Sequence, residues 1–542
     1  MNVTEAITPN TDVEVIYDWA LRPQIPKWPD GFRMWPNVQE AHRRMLRSWG
    51  DGRPPPLCTG RGIVTAGGGP KHFTALYIML TRLRELGCKL PVEVWYLGEF
   101  ELSGQQKELL RPFNVRLVNG LRVGDKRRIL NGWELKPHAV LHSAFEEVLW
   151  LDADCVPVVD PTPFFEWPQF KAYDAVFWPD FPTWTWTPKH WETVGLPCPK
   201  MAERCPRNEV DGKFGKRIPI GYPNPIESGA IMLRKTEPLV SHALRFTSFL
   251  CDHSEYWFDT HNTFHGDKDM FYLAWHWHKL RYAMPWVWPG WDRHTMLQHD
   301  FSGRVVFHHR TMDKTWTYPS AGIAEERRYF EIRAKLDAMN QPSPMAEDLN
   351  ALAGRYVYTR VRHDERTLEL LRGGGVGEGK AGRESRWTAS PDGNTIQIFG
   401  ADNRLTCELH KRRNTWFGSW VEYERMSIVL RPIGEPFMLN PQLMAKHAGR
   451  YMYHRQPRPC SDAKIINDRR SMALLDDSNV VEGRSKEEAF WDVREYEGYP
   501  VLTFYNASLT ATAHLTQNVG DDVWRGQYIN GTKCPVDLRR IQ

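Results

Sequence analysis

Val148-Leu149-Trp150-Leu151-Asp152-Ala153-Asp154-Cys155-Val156-Pro157 is the stretch on which the fold turns. An apolar run that reaches two aspartates, followed by Val158-Val159-Asp160-Pro161, predicts a buried strand that stops where carboxylates emerge at the carboxyl edge of a sheet. That edge is where α/β folds place their ligands. Aspartates at i and i+2, splayed by the end of a strand, can present oxygens to one hard divalent cation that keeps open positions for phosphate oxygens. A lone D-x-D also occurs by chance in turns, so the reading rests on what surrounds it. Asp160-Pro161 reads as a turn.

Upstream, Gly62-Ile63-Val64-Thr65-Ala66-Gly67-Gly68-Gly69 predicts a first strand running into a glycine loop, with an amphipathic helix over His72–Leu86 and a second strand over Val92–Leu97. This is the order of a βαβ unit, and its glycines let a nucleotide approach the backbone at Ala66 and Gly67. The loop is neither G-x-G-x-x-G nor a Walker sequence, so it does not support a dinucleotide or ATP site. Gln105–Leu110 and Val115–Val118 continue the alternation, and Lys136–Phe145 is the helix leading into the acidic strand. Residues 61–340 therefore read as an α/β domain preceded by a Pro- and Trp-rich extension over 1–60, with one helical segment at Asn37–Trp49.

Several blocks occur in one order: Gly62-Ile63-Val64, Leu90-Pro91-Val92-Glu93-Val94-Trp95-Tyr96, Lys136-Pro137, Ser143-Ala144-Phe145-Glu146-Glu147-Val148, Leu151-Asp152-Ala153-Asp154, Phe177-Trp178-Pro179-Asp180, Glu227-Ser228-Gly229 and Gly266-Asp267-Lys268-Asp269. Over about residues 61–320 this series resembles the fungal α-mannosyltransferases of glycosyltransferase family 71, which include Golgi α-1,3-mannosyltransferases. The resemblance implies a GT-A fold, a nucleotide-sugar donor, Mn²⁺ or Mg²⁺, and transfer with retention of anomeric configuration. GDP-mannose is the favoured donor, with a UDP-sugar as the alternative. Members of that family are membrane-anchored, whereas Met1–Asp12 is polar and no apolar run approaches the roughly 20 residues that span a bilayer.

On this resemblance Asp152 and Asp154 hold the metal against the donor diphosphate, with Asp154 the direct ligand and Asp152 also able to meet the ribose. Val305-Val306-Phe307-His308-His309-Arg310-Thr311-Met312-Asp313-Lys314-Thr315-Trp316 is similar to the C-terminal segment of glycogenin-like transferases, which assigns His308 to the metal, with His309 the near-equal alternative, and Lys314 to phosphate. Lys136 joins Ala66, Gly67, Asp152 and Lys314 as a donor contact. Ile226–Leu233 reads as a loop entering a buried strand, which sets Glu227 at the same edge, and Asp267 and Asp269 stand at the start of the helical run Met270–His278. These three carboxylates are the candidates for nucleophile or sugar-positioning group, although Asp267 is equally suited to a helix N-cap. Lys268 replaces a glutamine of the related Asp-Gln-Asp segment and is given no role.

Composition narrows the class. A chain of 542 residues with 41% hydrophobic and 25% charged residues has room for about three globular units. A net charge of +4 without a basic, aromatic-interleaved run argues against nucleic acid. Nine cysteines without C-x-x-C pairs suggest reduced thiols, and a cytoplasmic protein is expected. The 24 tryptophans, crowded at Phe177–Pro188 and Trp286–Trp291, suit either Trp-Pro packing or stacking on sugar rings.

After a linker at Gln341-Pro342-Ser343-Pro344 the chain repeats itself. Ala353-Gly354-Arg355-Tyr356-Val357-Tyr358 recurs as Ala448-Gly449-Arg450-Tyr451-Met452-Tyr453, Trp387 matches Trp491, and Trp416-Phe417-Gly418 matches Trp524-Arg525-Gly526. Alternating runs between turn residues predict two duplicated all-β units, 350–434 and 445–542, as small sandwiches or barrels. Carbohydrate binding, homo-oligomerisation or scaffolding are their candidate roles. Against the transferase reading stands a catalytically inactive, lectin-like or scaffold protein. The complete carboxylate set favours the enzyme, acting on a glycan or glycoconjugate acceptor.

Overall fold

The computed structural model describes residues 58–97, 101–124, 134–181, 226–253, 264–339, 349–421, 427–433, 441–455, 468–496, 499–507, 511–517, 523–529 and 534–541, apart from single positions within these ranges, together with His190. The segment Asn37–Trp49, the tryptophans Trp184, Trp186 and Trp286, and the stretch Gln341–Pro344 lie outside the described residues. The chain divides into two compact units, one of residues 1–96, 104–120 and 133–340, the other of 97–103, 121–132 and 341–542.

In the first unit, β1 (Arg61–Ala66) buries Ile63 and Val64 and runs into Gly67. Helix Gly69–Glu85 follows and buries Leu76, Met79, Leu80 and Leu83, whose spacing of three and four keeps them on one face. β2 (Val92–Tyr96), β3 (Val115–Asn119) and β4 (Glu147–Leu151) complete the parallel part of the sheet, each paired in register with its neighbour. Val148–Leu151 of β4 are fully enclosed, which is why the strand reads as an uninterrupted apolar run rather than an alternating one. Each such side chain contributes about 1.5–3 kcal/mol of burial.

β6 (Ala175–Pro179) and β7 (Ile226–Arg234) are added antiparallel, giving the order β3-β2-β1-β4-β7-β6. Strand order runs outward from β1 to β3 on one side and resumes with β4 on the other. A topological switch point therefore lies between the carboxyl ends of β1 and β4, where α/β sheets bind ligands. Those ends carry Ala66-Gly67 and Asp152–Asp154. A second sheet, ordered β5-β10-β9-β8, is built from β5 (Cys155–Pro157), β8 (Gly290–Asp292), β9 (Thr295–His299) and β10 (Val305–His309), all antiparallel. β5 starts directly after Asp154, so its pairing of Val156 with His308 and Cys155 with His309 brings the histidine pair to the acidic edge.

The second unit holds two seven-stranded antiparallel sheets, from Gly354 to Pro432 and from Gly449 to Arg540. Each closes on itself, since Val376 bridges Leu370 and Gly375 bridges Arg386, as Val480 and Asn479 do with Leu474 and Phe490. Barrels, not sandwiches, are thus the form taken, and closure removes the exposed sheet edges. The duplication extends to buried polar contacts. Trp387 Nε1 donates to Leu371 O at 2.9 Å and Trp491 Nε1 to Leu475 O at 2.8 Å. Tyr358 and Tyr453 donate to the buried Glu384 and Glu488, which pair with Arg366 and Arg470.

The recurring aromatics Tyr356, Trp387, Trp416, Tyr451, Trp491 and Trp524 line the two barrel cores. They are packing residues, so the repeated Gly-Arg-Tyr and Trp-x-Gly segments do not offer faces for sugar stacking. The glycines of the Trp-x-Gly segments are demanded by close backbone approach, because a β-carbon at Gly418 would lie 1.9 Å from Glu408 O and one at Gly526 1.8 Å from His514 O. Gly526→Ala is expected to destabilise this barrel by about 1–3 kcal/mol through forced backbone displacement. Chemical denaturation of the full chain, followed at the buried Trp524, checks it.

Candidate active site

Asp152 and Asp154 leave β4 in a tight turn that is closed by Cys155 N–H donating to Asp152 O at 2.9 Å. Asp152 is held by two further hydrogen bonds. Trp150 Nε1 donates to Asp152 Oδ1 at 2.7 Å, and the Asp152 backbone N–H donates to Gly229 O at 2.8 Å. Lys136, from helix Leu135–His142, places Nζ 2.9 Å from Asp152 Oδ1 and 2.8 Å from Asp267 Oδ2, and donates to Ser228 O and Oγ at 2.9 Å. One buried ammonium therefore joins β4, β7 and the start of helix Asp267–Trp277. Burial by itself would lower the Lys136 pKa, but Asp152 and Asp267 hold it well above the ordinary lysine value.

Asp154 is almost fully buried and faces an imidazole and an ammonium. His309 Nε2 is 3.5 Å from its Oδ1, and Lys314 Nζ is 2.9 Å from its Oδ2. Burial opposes ionisation here, yet Lys314 and His309 outweigh it and keep the carboxyl well below its usual range. For His309, burial is opposed by Asp154 and Glu227, and the imidazole pKa ends above its usual value. Single donor atoms of Asp152, Asp154 and His309 lie within 4.8 Å of one another. Two hard carboxylate oxygens and one imidazole suit Mn²⁺ or Mg²⁺, and the three sides of that triangle leave coordination positions for phosphate.

The assignment of the metal histidine to His308 is corrected by this geometry. Side chains alternate across a strand, so adjacent residues of β10 point to opposite faces. His308 turns away from the acidic turn and its Nδ1 meets Tyr329 Oη at 3.0 Å, while burial depresses its pKa to about 4. His309 takes the inward place, and the close approach has a cause. A β-carbon at Gly229 would lie 2.5 Å from the His309 ring, so only glycine leaves the ring its position. His309→Ala is expected to weaken Mn²⁺ binding at least tenfold. His308→Ala should leave it unchanged and cost about 1–3 kcal/mol of stability through the lost Tyr329 contact. Electron paramagnetic resonance of free Mn²⁺ and thermal unfolding separate the two effects.

Glu227, at the second position of β7, lies 3.8 Å from His309 Nδ1 and accepts from Gly229 N–H at 3.1 Å. Burial would raise its pKa, but His309, Lys268 and Lys136 together lower it, so it is a carboxylate at neutral pH. Asp267 is raised, by burial first and by Asp152, against the pull of Lys136. It is the first residue of the helix, whose N-cap is Gly266, so the N-cap alternative does not hold, and its side chain is engaged with Lys136. Asp269 is buried in the same first helical turn. Two residues without an assigned role join this cluster. Asp180 follows β6 and pairs with Lys268 Nζ at 2.5 Å, and burial and Glu227 push its carboxyl up to about 6. Ser228 anchors Lys136. Both stood in the blocks that carry the resemblance, Glu227-Ser228-Gly229 and Phe177-Trp178-Pro179-Asp180, where nothing local gave either a role.

Gly67 is buried at the end of β1, and a β-carbon there would lie 3.2 Å from Ala153 Cβ, which puts Ala66-Gly67 beside the acidic turn. All the residues singled out from the sequence therefore gather at one sheet edge, with His309 in the place of His308. Of the tryptophans, Trp178 is fully buried and donates to His299 O at 2.9 Å, a packing role, whereas Trp291 is exposed.

The sheet with its switch point defines an α/β domain whose acidic turn is flanked by Lys136 on one side and Lys314 on the other. Residues 60–286 match the family described as "Mannosyltransferase putative". The chain is 27% identical to α-1,2-mannosyltransferase MNN21 of Candida albicans over 44% of this chain and 40% of that protein. It is 27% identical to α-1,2-mannosyltransferase MNN2 of Saccharomyces cerevisiae over 54% of each. The chain thus spans about half or less of the length of these relatives. They carry the α-1,2 name rather than the α-1,3 linkage with which the resemblance was framed. Among solved structures, the galactosyltransferase LgtC in complex with donor and acceptor sugar analogues aligns at 11% identity with a TM-score of 0.28, covering 41% of this chain and 73% of that one. No described helix is long and apolar enough to cross a membrane.

Proposed function

We propose that the first unit is a GT-A glycosyltransferase that moves a sugar from a nucleotide-sugar donor to a hydroxyl of a glycan or glycoconjugate, with retention of configuration. Mannose from GDP-mannose is the favoured donor, as the names of the relatives suggest, and a UDP-sugar is the alternative. The observation that carries this reading is the meeting of Asp152, Asp154 and His309 with Lys314 on one side and Lys136, Asp267 and Glu227 on the other, at the switch point of the sheet.

Asp152, Asp154 and His309 would hold Mn²⁺ or Mg²⁺, which supplies charge neutralisation to the diphosphate as the sugar–oxygen bond breaks. Lys314 sits on the outer side of Asp154, where its ammonium can turn to the departing phosphate and stabilise the charge that develops on it. Lys136 is committed to Asp152 and Asp267 and so fixes the sugar-side carboxylates rather than serving as a mobile phosphate contact. Glu227 remains ionised and is the group suited to attack or to stabilise the anomeric carbon, with Asp267 and Asp269 accepting from sugar hydroxyls. In a front-face reaction the acceptor proton passes to the leaving phosphate and Glu227 acts through its charge alone.

A thermal-shift screen of GDP-mannose and UDP- and dTDP-sugars, each with and without Mn²⁺, tests the proposal. A true donor stabilises the fold by about 2.7 kcal/mol at a hundredfold excess over its Kd, and the shift should need the metal. If no nucleotide sugar shifts the unfolding temperature, the donor reading fails. Binding without transfer to any mannoside acceptor would favour the inactive, lectin-like protein.

A further inference from the structure

Between the proposed metal ligand His309 and the proposed phosphate contact Lys314 stands Arg310, whose side chain is fully buried. Its backbone N–H donates to Asp154 O at 2.8 Å, so the residue begins by fastening the end of β10 to the acidic turn. The guanidinium then points away from the site into a closed set of acceptors. Nη1 is 3.0 Å from Glu326 Oε1 and 3.1 Å from Thr295 Oγ1, Nη2 is 2.9 Å from Asp313 Oδ2 and also reaches Tyr318 O, and Nε donates to Asp313 O at 3.2 Å. Its flat face lies on the Trp316 indole, 4.6 Å from the ring centre.

These partners fix the segment that carries Lys314. Asp313 Oδ2 accepts from Thr317 and Tyr318 N–H, both at 2.8 Å, and closes the turn around Lys314. Asp313 and Trp316 have φ of 46° and 56°, a left-handed conformation that non-glycine residues adopt only when their surroundings impose it. The imposing group is Arg310, which touches both. Underneath, Trp316 packs edge-on against Tyr329, the residue that His308 holds from β10.

We infer that Arg310 is the positioning residue of the diphosphate contact: it locks the Asp313–Tyr318 turn so that Lys314 is presented to the phosphate at the moment the donor binds. The inference rests on the proposed donor site, and it says that Arg310 acts on the nucleotide solely through Lys314. A preset lysine spares the donor the entropy of ordering the turn. Lysine in place of Arg310 keeps the charge but cannot reach Glu326, Asp313 and Tyr318 together, since it lacks the planar fork.

The test is a double-mutant cycle on the full chain, reading the Kd by calorimetry with Mn²⁺ and whichever of GDP and UDP wild type binds. Lys314→Ala should weaken binding about tenfold, the scale of one charge-assisted contact. Arg310→Lys should weaken it by a similar factor, and the double variant should bind no more weakly than Lys314→Ala alone. The unfolding temperature should fall on Arg310→Lys to the same extent in both backgrounds, because the packing role does not depend on Lys314. An unchanged Kd in Arg310→Lys, or losses that multiply in the double variant, would overturn the inference. Should Arg310→Lys fail to fold, Asp313→Asn takes its place in the same cycle, since it breaks the turn clamp while leaving Arg310 with Glu326. Loss of the Lys314→Ala effect itself would instead refute the donor-site reading.

Discussion

Asp154→Ala is expected to abolish metal-dependent transfer, with a fall of about a thousandfold or more, while the protein stays folded. The magnitude follows from the kind of interaction removed, since a group that stabilises charge developing in a water-excluded transition state is worth roughly 10²–10³ in rate. Asp154 also holds the two side chains around it. His309 and Lys314 both lean on this one carboxylate, at 3.5 and 2.9 Å, and would lose their common partner together. Removing the carboxylate therefore costs the metal an oxygen and leaves the Lys314 ammonium without its counter-charge beside the incoming ion. Mn²⁺ affinity measured by electron paramagnetic resonance should collapse with activity, whereas His309→Ala should retain part of both. Folding is expected to survive because Asp154 belongs to the turn after β4, and the strand is held by Val148–Leu151 and its pairing with β1 and β7. Undiminished transfer by this variant, or full activity of wild type in excess chelator, would rule out the metal site.

What the sequence disclosed follows from how strongly each feature is written in it. Val148–Leu151 announce a doubly covered strand, and the two aspartates after it mark its end, so the site could be placed at a sheet edge without coordinates. Glu227 was located by the same logic, because Ile226–Arg234 is an apolar strand with one acidic residue at its entrance. His309 was not legible. Choosing between neighbouring histidines needs the parity of β10, which is set by its pairing with Cys155 and by the space at Gly229, neither of which is local. Lys268 lay beyond reach for a similar reason, as its partner Asp180 is distant in the chain. The tryptophans were ambiguous because an indole that packs and one that stacks on sugar have the same composition signal, and only burial tells Trp178 from Trp291. Duplication after Gly354 was plain in the repeated Gly-Arg-Tyr segments, whereas closure into barrels depends on the bridges at Val376 and Val480.

Lys136→Met should have the second largest effect, and it should act on stability as well as on donor use. The ammonium is the shared counter-charge of Asp152 and Asp267, and its side chain is only 8% exposed. Methionine fills nearly the same volume, so the loss is electrostatic rather than a cavity. Removing one member of a buried ionic cluster leaves the others without compensation, at a cost of about 3–5 kcal/mol. Part of that cost is recovered if a carboxylate of the cluster takes up a proton. Asp267 is already raised by burial, so it is the one expected to do so. The sign follows from linkage: a carboxyl whose folded pKa exceeds its unfolded value binds a proton on folding, so stability falls as pH rises through that window. In Lys136→Met the stability deficit should accordingly shrink toward acidic pH and grow toward neutrality. Wild type should show a weaker trend of the same sign, because Asp267 is raised there too but the charged Lys136 beside it opposes the effect of burial. Denaturant unfolding at a series of pH values checks it, and a deficit independent of pH would mean that Lys136 contributes packing, not charge, to the joint between β4, β7 and the helix that bears Asp267.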